Sequence, residues 1–369
     1  VGQEGEGVGA EIGSAETSPR YRWQDLAEWT RRVLEREGVP AEDAALVGRC
    51  LVHANLRGVD THGVTRLPIY VKRLRLGLVN PRPEVRVVAE APAGAVVDGD
   101  NGLGMVVGTR AMEEAIRRAR AAGSSWVAVR NSNHFGACAY YVMLASAAGM
   151  VGIAMTNGEA LMAPWGGVTP YLSTNPIAFA VPGGREGDVV LDFATSVSAA
   201  GRILLAHKRG ERIPLGWITD RRGRPTDDPE VLLRGEALMV PMGGHKGYGL
   251  ALMIDVLSGL LGGAAFGPHV GAMYWDFSKP QNVGHLFGAL DVGRFVPLDV
   301  FRARLDQMVR EVRACERADG VERIAVPGEI EAETQARRER EGVPLPTWMT
   351  ADLVALGEEV RLPFPRPMG

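Results

Sequence analysis

Residues 126–156 read WVAVRNSNHFGACAYYVMLASAAGMVGIAMT and carry the clearest structural pattern in the chain. The stretch begins with the β-branched run WVAVR, passes through the polar loop NSNHFGA, continues as an apolar helical segment and ends with VGIAMT. A strand, a helix and a second strand in this order are typical of a βαβ unit. The loop after the first strand of such a unit opens at the carboxyl end of the sheet, where α/β proteins bind ligands. We therefore expect Asn131, Ser132, Asn133 and His134 to face a ligand.

The rest of the chain extends this unit into a larger α/β core with helices before and after it. The gap between residues 177–181 and 189–193 is only long enough for a hairpin, so we expect a mixed, partly antiparallel sheet. Apolar residues at helical spacing predict helices on both sides of Pro40 and another around residues 301–312. The other predicted strands cover residues 85–88, 95–98 and 285–291, and the long helices cover 106–122, 137–148 and 250–261.

Composition and charge exclude several classes of protein. The 369 residues carry a net charge of −3 with the basic residues scattered, so no nucleic-acid partner is predicted. Three well-separated cysteines fit neither a disulfide framework nor a zinc ribbon and indicate a reducing cytoplasm. The histidines show no metal-binding spacing, so no metal is expected. The stretch Leu250–Leu261 is too short to cross a bilayer and contains Asp255, which predicts a buried helix and no membrane partner.

Two polar motifs carry candidate binding groups. His62 and Arg66 are four residues apart and share one face if their stretch is helical. A guanidinium binds a carboxylate with two hydrogen bonds, and a neighbouring imidazole can exchange a proton with an adjacent oxygen. A surface role for Arg66 is equally open. Lys246 lies among glycines in GGHKGYGLALM at the start of an apolar helix, which favours a phosphate, or else a solvated lysine at a tight helix entry.

The remaining motifs each have two interpretations. Asp192 lies near the end of the run VVLDF, where a carboxylate can hold ribose hydroxyls, and Thr195 or Ser196 could cap the next helix. His134 is an acid/base or a loop histidine bonded to backbone. Cys138, one helical turn later, is a nucleophile paired with His134 or a buried packing residue. The segment GDNGLG only loosely imitates the dinucleotide glycine fingerprint, so a Rossmann turn is not predicted.

Taken together, the motifs resemble those of the type-2 malate/L-lactate dehydrogenases. The resemblance covers most of residues 21–345 in order and is far more specific than any single motif. It implies an NAD- or NADP-dependent oxidoreductase with a non-Rossmann α/β fold that works as a homodimer. The matching segments are RGVDTHGVTRLPIYVKRLRLG, NSNHFGACAYY, STNPIAFAVP, VLDFATS, HKGYGLALMIDVLSGLLGG, PQNVGHLFGALD and VPGEIE.

The resemblance also implies roles for individual residues. His134 is the expected proton acceptor or donor, with His62 as its competitor, and Arg66 is the expected carboxylate clamp. Thr61 stands where the family usually has a serine, and its hydroxyl is retained at the substrate site. His245, next to Lys246, stands where the family often has a tyrosine. The implied cofactor-binding residues are Gly158, Asp192, Phe193, Ala194, Lys246, Gly328 and Glu329, although PGE at 327–329 also fits a surface turn.

These patterns lead to one main functional hypothesis and an outline of the domains. The hypothesis is hydride transfer between NAD(P) and C2 of a small 2-hydroxy or 2-oxo acid, with malate or lactate as the expected acids. The runner-up is NAD(P)H-dependent reduction of a cyclic imine carboxylate, and the motifs also leave room for a Cys/His hydrolase or an inactive binding protein. The predicted parts are an acidic, glycine-rich disordered extension without a secretory signal (1–19), a helical N-terminal part (20–84), a mixed α/β cofactor-binding core (85–298) and C-terminal helices that return to the N-terminal part (299–369).

Overall fold

The computed structural model describes residues 18–368. Of the predicted extension at residues 1–19, residues 1–17 lie outside the described residues. Backbone pairing begins near the start of the described part, where the Pro19 carbonyl accepts a hydrogen bond from the Leu345 N–H at 3.0 Å.

The described chain alternates strands and helices. The strands are β1 (Arg20–Tyr21), β2 (Arg86–Ala91), β3 (Gly94–Asp98), β4 (Ser124–Ser132), β5 (Met150–Thr156), β6 (Ile177–Val181), β7 (Val189–Phe193), β8 (Ile218–Asp220), β9 (Pro225–Thr226), β10 (Ala237–Met239), β11 (Val283–Asp291) and β12 (Val343–Pro344). The α-helices are α1 (Trp23–Arg36), α2 (Ala41–Leu56), α3 (Leu67–Arg75), α4 (Gly104–Ala122), α5 (Ala139–Ala147), α6 (Ala200–Lys208), α7 (Glu230–Leu233), α8 (His245–Asp255), α9 (Leu298–Arg313), α10 (Glu329–Glu341) and α11 (Thr347–Glu359).

The central sheet has the strand order β2–β3–β4–β11–β5–β6–β7. β3 and β4 are parallel neighbours, whereas the other neighbouring pairs are antiparallel. Because β11 pairs antiparallel with both β4 and β5, those two strands run parallel to each other on either side of it. The predicted βαβ unit and the mixed sheet are therefore confirmed, with β11 inserted between the two strands of the unit.

Helices cover both faces of this sheet. α4 and α5 pack on one face, where Val107, Tyr141 and Phe287 form part of a buried apolar cluster. α8 and the π-helical turn that continues it over Val256–Leu260 cover the other face, where Ile254 packs in a second cluster. A smaller sheet, ordered β10–β8–β9, shares a third apolar cluster with α6 and α7.

The N-terminal and C-terminal segments build a separate helical core. Trp29 of α1, Leu51 of α2 and Leu353 of α11 belong to one buried cluster. The Trp29 indole N–H donates to the Leu362 carbonyl at 2.9 Å, and β1 pairs with β12. The two ends of the chain therefore fold around each other beside the central sheet.

A tight turn after β3 and a glycine at the start of α4 allow this helix to pack closely on the loop that carries His134. Asp100 and Asn101 have positive φ angles of 49° and 55° and turn the chain toward α4. A Cβ on Gly104 would lie 2.1 Å from the Asn133 carbonyl oxygen. Glycine is therefore required where the first turn of α4 meets this loop.

Two local predictions are wrong. The helix predicted over 250–261 is not fully buried, because the sheet covers only one of its faces and Leu261 on the other is 58% exposed. Thr195 and Ser196 do not cap α6, because their hydroxyls donate to backbone carbonyls of Thr174 and Ser198. Among the described residues, no helix is both long and apolar enough to cross a membrane.

Candidate active site

The candidate site lies along one edge of the central sheet. The loops that follow β4, β5 and β7 reach this edge, and the chain enters β6 and β11 from it. The loops after β4 and β5 carry His134 and Gly158, and Asp192 lies one residue before the end of β7, although the sequence places the three residues far apart. The helical core adds the segment between α2 and α3, with His62 and Arg66. The topology therefore gathers the predicted acid/base loop and the predicted clamp on one side of the molecule.

The segment with His62 and Arg66 is not one continuous helix. It forms two 3-10 turns, Asp60–His62 and Val64–Arg66, separated by Gly63 in an extended conformation. A Cβ on Gly63 would lie 2.2 Å from the Asn55 side-chain oxygen, and this oxygen accepts the Val64 N–H at 2.9 Å. Close packing on Asn55 thus breaks the helix that the four-residue spacing suggested.

A buried ion pair holds this segment in place. Both carboxylate oxygens of Asp60 accept hydrogen bonds from Arg338 of α10, at 2.8 and 3.0 Å. Asn55 also donates to Asp60 at 2.6 Å, and all three side chains are buried. The turns that present His62 and Arg66 are therefore fixed by a contact between the two ends of the chain.

The two candidate acid/base residues lie next to each other. The imidazole rings of His62 and His134 stack with their centroids 5.7 Å apart and their planes 22° apart. The Tyr70 hydroxyl lies 2.7 Å from His134 Nδ1, and the His134 backbone N–H donates to the Gln281 side chain at 3.3 Å. His62 Nδ1 instead contacts the Thr61 hydroxyl at 3.0 Å.

Burial and nearby positive charge keep both imidazoles neutral. The pKa of His134 lies well below its usual value because of burial, with further contributions from Arg66, His62 and His285. Burial, followed by the Arg66 charge, lowers the pKa of His62 to about 3. A neutral imidazole beside a guanidinium can accept a proton, whereas the cationic form requires a compensating negative charge.

One edge of the Arg66 guanidinium donates hydrogen bonds to other groups of the protein. Its Nε donates to the Thr61 carbonyl at 2.6 Å, and its Nη1 donates to the Tyr274 hydroxyl. The guanidinium carbon also lies 5.3 Å from the centre of the Tyr274 ring. Nη2 has no hydrogen-bond partner among the described residues, so part of the guanidinium remains for a ligand.

Four further residues of the site were not predicted from the sequence: Tyr70, Tyr274, Gln281 and Glu159. Tyr70 follows Arg66 by four residues on α3, a spacing that could have identified it. Gln281 precedes β11, and Tyr274 lies in an irregular segment between short helical turns and that strand. Glu159 accepts the Met273 N–H at 2.8 Å, and burial raises the pKa of its carboxyl. No periodic pattern marks these three positions, because their roles arise from chain crossings.

A second part of the site centres on Asp192. This residue is solvent-exposed on one side, while one carboxylate oxygen accepts the Ala139 N–H at the start of α5 at 2.7 Å. The surrounding protein raises the pKa of this carboxyl to about 6 by desolvation, against the opposing effects of the Ala139 N–H and Arg57. Phe193 and Ala194, which follow it, are half-buried.

The structure brings Lys246 toward the same region. The Met242 N–H donates to the Thr195 carbonyl at 2.9 Å, so the segment after Asp192 lies beside the chain that leads into α8. α8 begins at His245, and Lys246 is exposed with neither an ion pair nor a hydrogen bond to any described residue. A Cβ on Gly247 would lie 2.0 Å from the Met242 carbonyl, which explains the glycine within the tight helix entry.

The two predicted glycine positions also lie near this edge. A Cβ on Gly328, whose φ is +86°, would lie 2.7 Å from the Val190 carbonyl, and Val190 donates to the Pro327 carbonyl at 3.0 Å. The PGE segment thus runs beside β7, two residues from Asp192. Glu329 is already engaged, since its carboxylate accepts hydrogen bonds from Val326 and Arg313. A Cβ on Gly158 would lie 2.8 Å from the Ser173 hydroxyl oxygen.

Cys138 has the properties of a packing residue. Its side chain is buried, and burial together with the Asp192 charge raises the pKa of the thiol well above its usual value. A nucleophilic cysteine requires the opposite shift, toward the thiolate. Within residues 18–368, no group of three or more His, Cys, Asp or Glu side chains is arranged to hold a metal ion.

Several known proteins are similar to this chain in sequence. Residues 21–354 match the family described as malate/L-lactate dehydrogenase. The malate dehydrogenase of Pyrococcus horikoshii is 42% identical over 320 residues, which cover 85% of this chain and 88% of that protein. The L-sulfolactate dehydrogenase of Methanocaldococcus jannaschii is 43% identical over 309 residues, which cover 83% and 87% of the two chains.

Solved structures agree with these relatives. The P. horikoshii malate dehydrogenase structure superposes with a TM-score of 0.86 at 38% identity and covers 94% of this chain and 96% of its own. The Δ1-piperideine-2-carboxylate reductase of Pseudomonas syringae pv. tomato has a TM-score of 0.82 at 29% identity and covers 92% and 99%. The mixed sheet predicted from the strand spacing and the non-Rossmann fold implied by the resemblance are thereby confirmed. The chain therefore belongs to the malate/L-lactate dehydrogenase family.

Proposed function

We propose that this protein transfers a hydride between a nicotinamide cofactor, NAD or NADP, and C2 of a small 2-hydroxy or 2-oxo acid, with malate or lactate as the expected acids. The observation that carries this proposal is the placement of Arg66 in the same cluster as the stacked His62 and His134 rings. A 2-hydroxy acid has a carboxylate and a hydroxyl on adjacent carbons. A guanidinium beside an imidazole matches both groups at once.

Arg66 binds the carboxylate in this proposal. Its Nε and Nη1 are held by Thr61 and Tyr274, so the guanidinium plane is fixed before the acid arrives. A fixed guanidinium orients the acid and reduces the entropy lost in reaching the reactive geometry. The Thr61 hydroxyl, next to His62, is a candidate for a further contact to the acid.

His134 moves the proton. In oxidation, the neutral imidazole accepts the hydroxyl proton of the acid through Nε2, because Nδ1 faces Tyr70. In reduction, the carboxylate bound to Arg66 compensates the guanidinium charge, which adds to burial in lowering the pKa of His134. The imidazole can then carry the proton that it donates to the substrate oxygen.

The residues near β7 and α8 fit a dinucleotide. The exposed Asp192 carboxylate can accept hydrogen bonds from ribose hydroxyls, and the unpaired Lys246 beside the start of α8 suits a pyrophosphate. When bound, the nicotinamide supplies or accepts the hydride. Gly158, Phe193, Ala194, Gly328 and Glu329 remain predicted cofactor contacts, of which Glu329 would also have to retain its contacts with Val326 and Arg313.

The test is turnover with a panel of acids. Malate, lactate and sulfolactate as alcohols, their 2-oxo acids, and a cyclic imine carboxylate are each assayed with both cofactors by nicotinamide absorbance. The cyclic imine is included because a reductase of such an acid shares the fold, and a clamp with a proton donor suits C=N as well as C=O. Turnover of the 2-oxo acids supports the main proposal, and turnover of the imine alone supports the second. No change in nicotinamide absorbance with any member, in either direction, would rule out both.

The remaining expectations belong to the same proposal. The three cysteines are free thiols, which suits a reducing cytoplasm.

The exposed apolar face that includes Met253, Leu260 and Leu261 suits a second copy of the chain, as expected for a homodimer. We also propose residues 20–84 and 299–369 as one helical unit around a cofactor-binding core at 85–298. Sedimentation of the purified protein measures the oligomeric state.

Substitutions of Arg66 and Lys246 should give opposite kinetic patterns. We expect Arg66→Lys to lower kcat/KM for the acid by roughly 10-fold or more, because an ammonium keeps the charge but loses the two-pronged geometry. Cofactor Kd should stay nearly unchanged. Lys246→Ala should mainly weaken cofactor binding, by about 10-fold. Fluorescence titration with NADH and NADPH separates the two; an Arg66 variant that cannot hold cofactor, or a Lys246 variant that holds it normally, would show that these groups are misplaced.

Cofactor binding should weaken as the pH falls through about 6. Because the pKa of Asp192 is raised to about 6, the carboxylate predominates above this pH and is protonated below it. Only the ionised form offers both oxygens to ribose hydroxyls. The Kd of NADH, which has no 2′-phosphate to titrate, is measured from about pH 5 to about pH 8. Asp192→Asn should flatten this dependence, and a wild-type Kd that is already flat would argue against the ribose contact.

A further inference from the structure

Tyr70 is a buried tyrosine whose hydroxyl faces the acid/base residue. It lies on α3, is 3% exposed, and its hydroxyl oxygen is 2.7 Å from His134 Nδ1. The hydroxyl has no other hydrogen-bond partner among the described residues. The hydrogen bond made at one ring nitrogen of a neutral histidine decides which nitrogen carries the proton, and a hydroxyl can accept as well as donate such a bond.

We propose that Tyr70 is a positioning residue that holds the proton of neutral His134 on Nδ1 and leaves Nε2 free for the substrate. The inference rests on the proposed function for its catalytic meaning. The tautomer of His134 can be determined without knowing which acid is the substrate.

The contacts of Nδ1 explain why the tyrosine is needed. The other group directed at Nδ1 is the Gly136 backbone N–H, at 3.4 Å. A backbone N–H only donates, so this contact favours a bare Nδ1 and places the proton on Nε2. An Nε2–H imidazole cannot accept the hydroxyl proton of the acid. The Tyr70 hydroxyl can accept from Nδ1–H, and at 2.7 Å it forms the shorter of the two contacts.

The groups around Tyr70 and His134 keep the tyrosine protonated and influence the pKa of the imidazole. Burial raises the pKa of Tyr70, although the charge of Arg66 opposes this shift, so the residue remains a hydroxyl. Arg66, His62 and His285 face His134 from the helical core and from β11. His285 is itself held by Thr156 and Ser132, at 2.7 and 2.8 Å. Tyr70 is thus the side chain in this environment that stabilises the Nδ1–H of an imidazolium.

The kinetic test is Tyr70→Phe, which retains the buried ring and removes only the hydroxyl. We expect kcat/KM for the acid to fall about 10- to 100-fold, with the cofactor Kd unchanged. The high-pH limb of kcat for reduction should move to lower pH, because the imidazolium loses the acceptor for Nδ1–H. Tyr140→Phe is the matched control, since Tyr140 is half-buried on α5 and packs against His53 outside the site; its kinetics should match the wild type.

A spectroscopic test does not depend on turnover. With ¹⁵N-labelled histidine, the His134 resonances are assigned by their loss in His134→Gln and show which ring nitrogen carries the proton. We expect Nδ1–H in the wild type and a shift toward Nε2–H in Tyr70→Phe. A wild-type His134 that carries its proton on Nε2 would overturn the proposal. So would a Tyr70→Phe variant that loses activity while the tautomer of His134 and the high-pH limb of kcat stay unchanged. If the wild type turns over no acid, the proposed function fails while the spectra still decide the role of Tyr70.

Discussion

Replacing His134 by glutamine should lower kcat/KM for the 2-hydroxy acid by about 10²- to 10⁴-fold, the usual contribution of a general acid/base. Glutamine retains polarity and approximate size, but it cannot accept and return a proton near neutral pH. The cofactor Kd should change little, because none of the proposed cofactor residues lies on the loop that carries His134. Stopped-flow measurement of nicotinamide absorbance in a single turnover isolates the hydride-transfer step from product release.

His62→Gln is the matched variant, because the two rings stack and only one of them is expected to exchange the substrate proton. Its Nδ1 contacts the Thr61 hydroxyl, whereas Nδ1 of His134 faces Tyr70. We expect an effect of about 10-fold, through lost packing and polarity around the acid. The reverse order, with His62→Gln the more damaging substitution, would transfer the acid/base role to His62.

The second large effect is expected from Asp60→Asn, which removes the charge from the buried pair with Arg338. Breaking a buried ion pair on one side typically costs about 3–5 kcal/mol, because the remaining charge stays buried without a partner. The side chains of Asp60 and Arg338 are 3% and 10% exposed, so little solvent can compensate. The free energy of unfolding, measured by urea denaturation with the wild type in parallel, should fall by that amount.

Glu333→Gln provides the control for this prediction. Glu333 pairs with Arg323 at 2.5 Å, but both side chains are 51% exposed. Exposed pairs contribute about 0–1 kcal/mol, so this variant should unfold close to the wild type. Asp60→Asn should also impair acid turnover under conditions where the protein remains folded, because the turns that carry His62 and Arg66 depend on the pair. An Asp60 variant as stable as the Glu333 variant would contradict this account.

Most of the fold could be predicted from the sequence, because strands and helices follow from contacts between residues close in the chain. β-Branched runs between glycines identified β3 to β7 and β11, and the short gap at residues 182–188 identified the hairpin. Helical spacing identified α1 and α2. The errors have local causes as well: Gly63 breaks a helix where Asn55 packs closely, and the outer face of α8 is uncovered in the single chain.

The sequence by itself determined the α/β class, the mixed sheet, the family and the chemical types at the site: imidazole, guanidinium, carboxylate and ammonium. Only the tertiary structure decided which of these groups meet. Tyr70 reaches His134 across 64 positions, Gln281 reaches it across 147, and Tyr274 reaches Arg66 across 208. Periodicity records which face of a helix or strand is apolar, and so it reflects burial. Contacts between distant residues depend instead on how the sheet and the helical core pack together, and no local pattern encodes that packing.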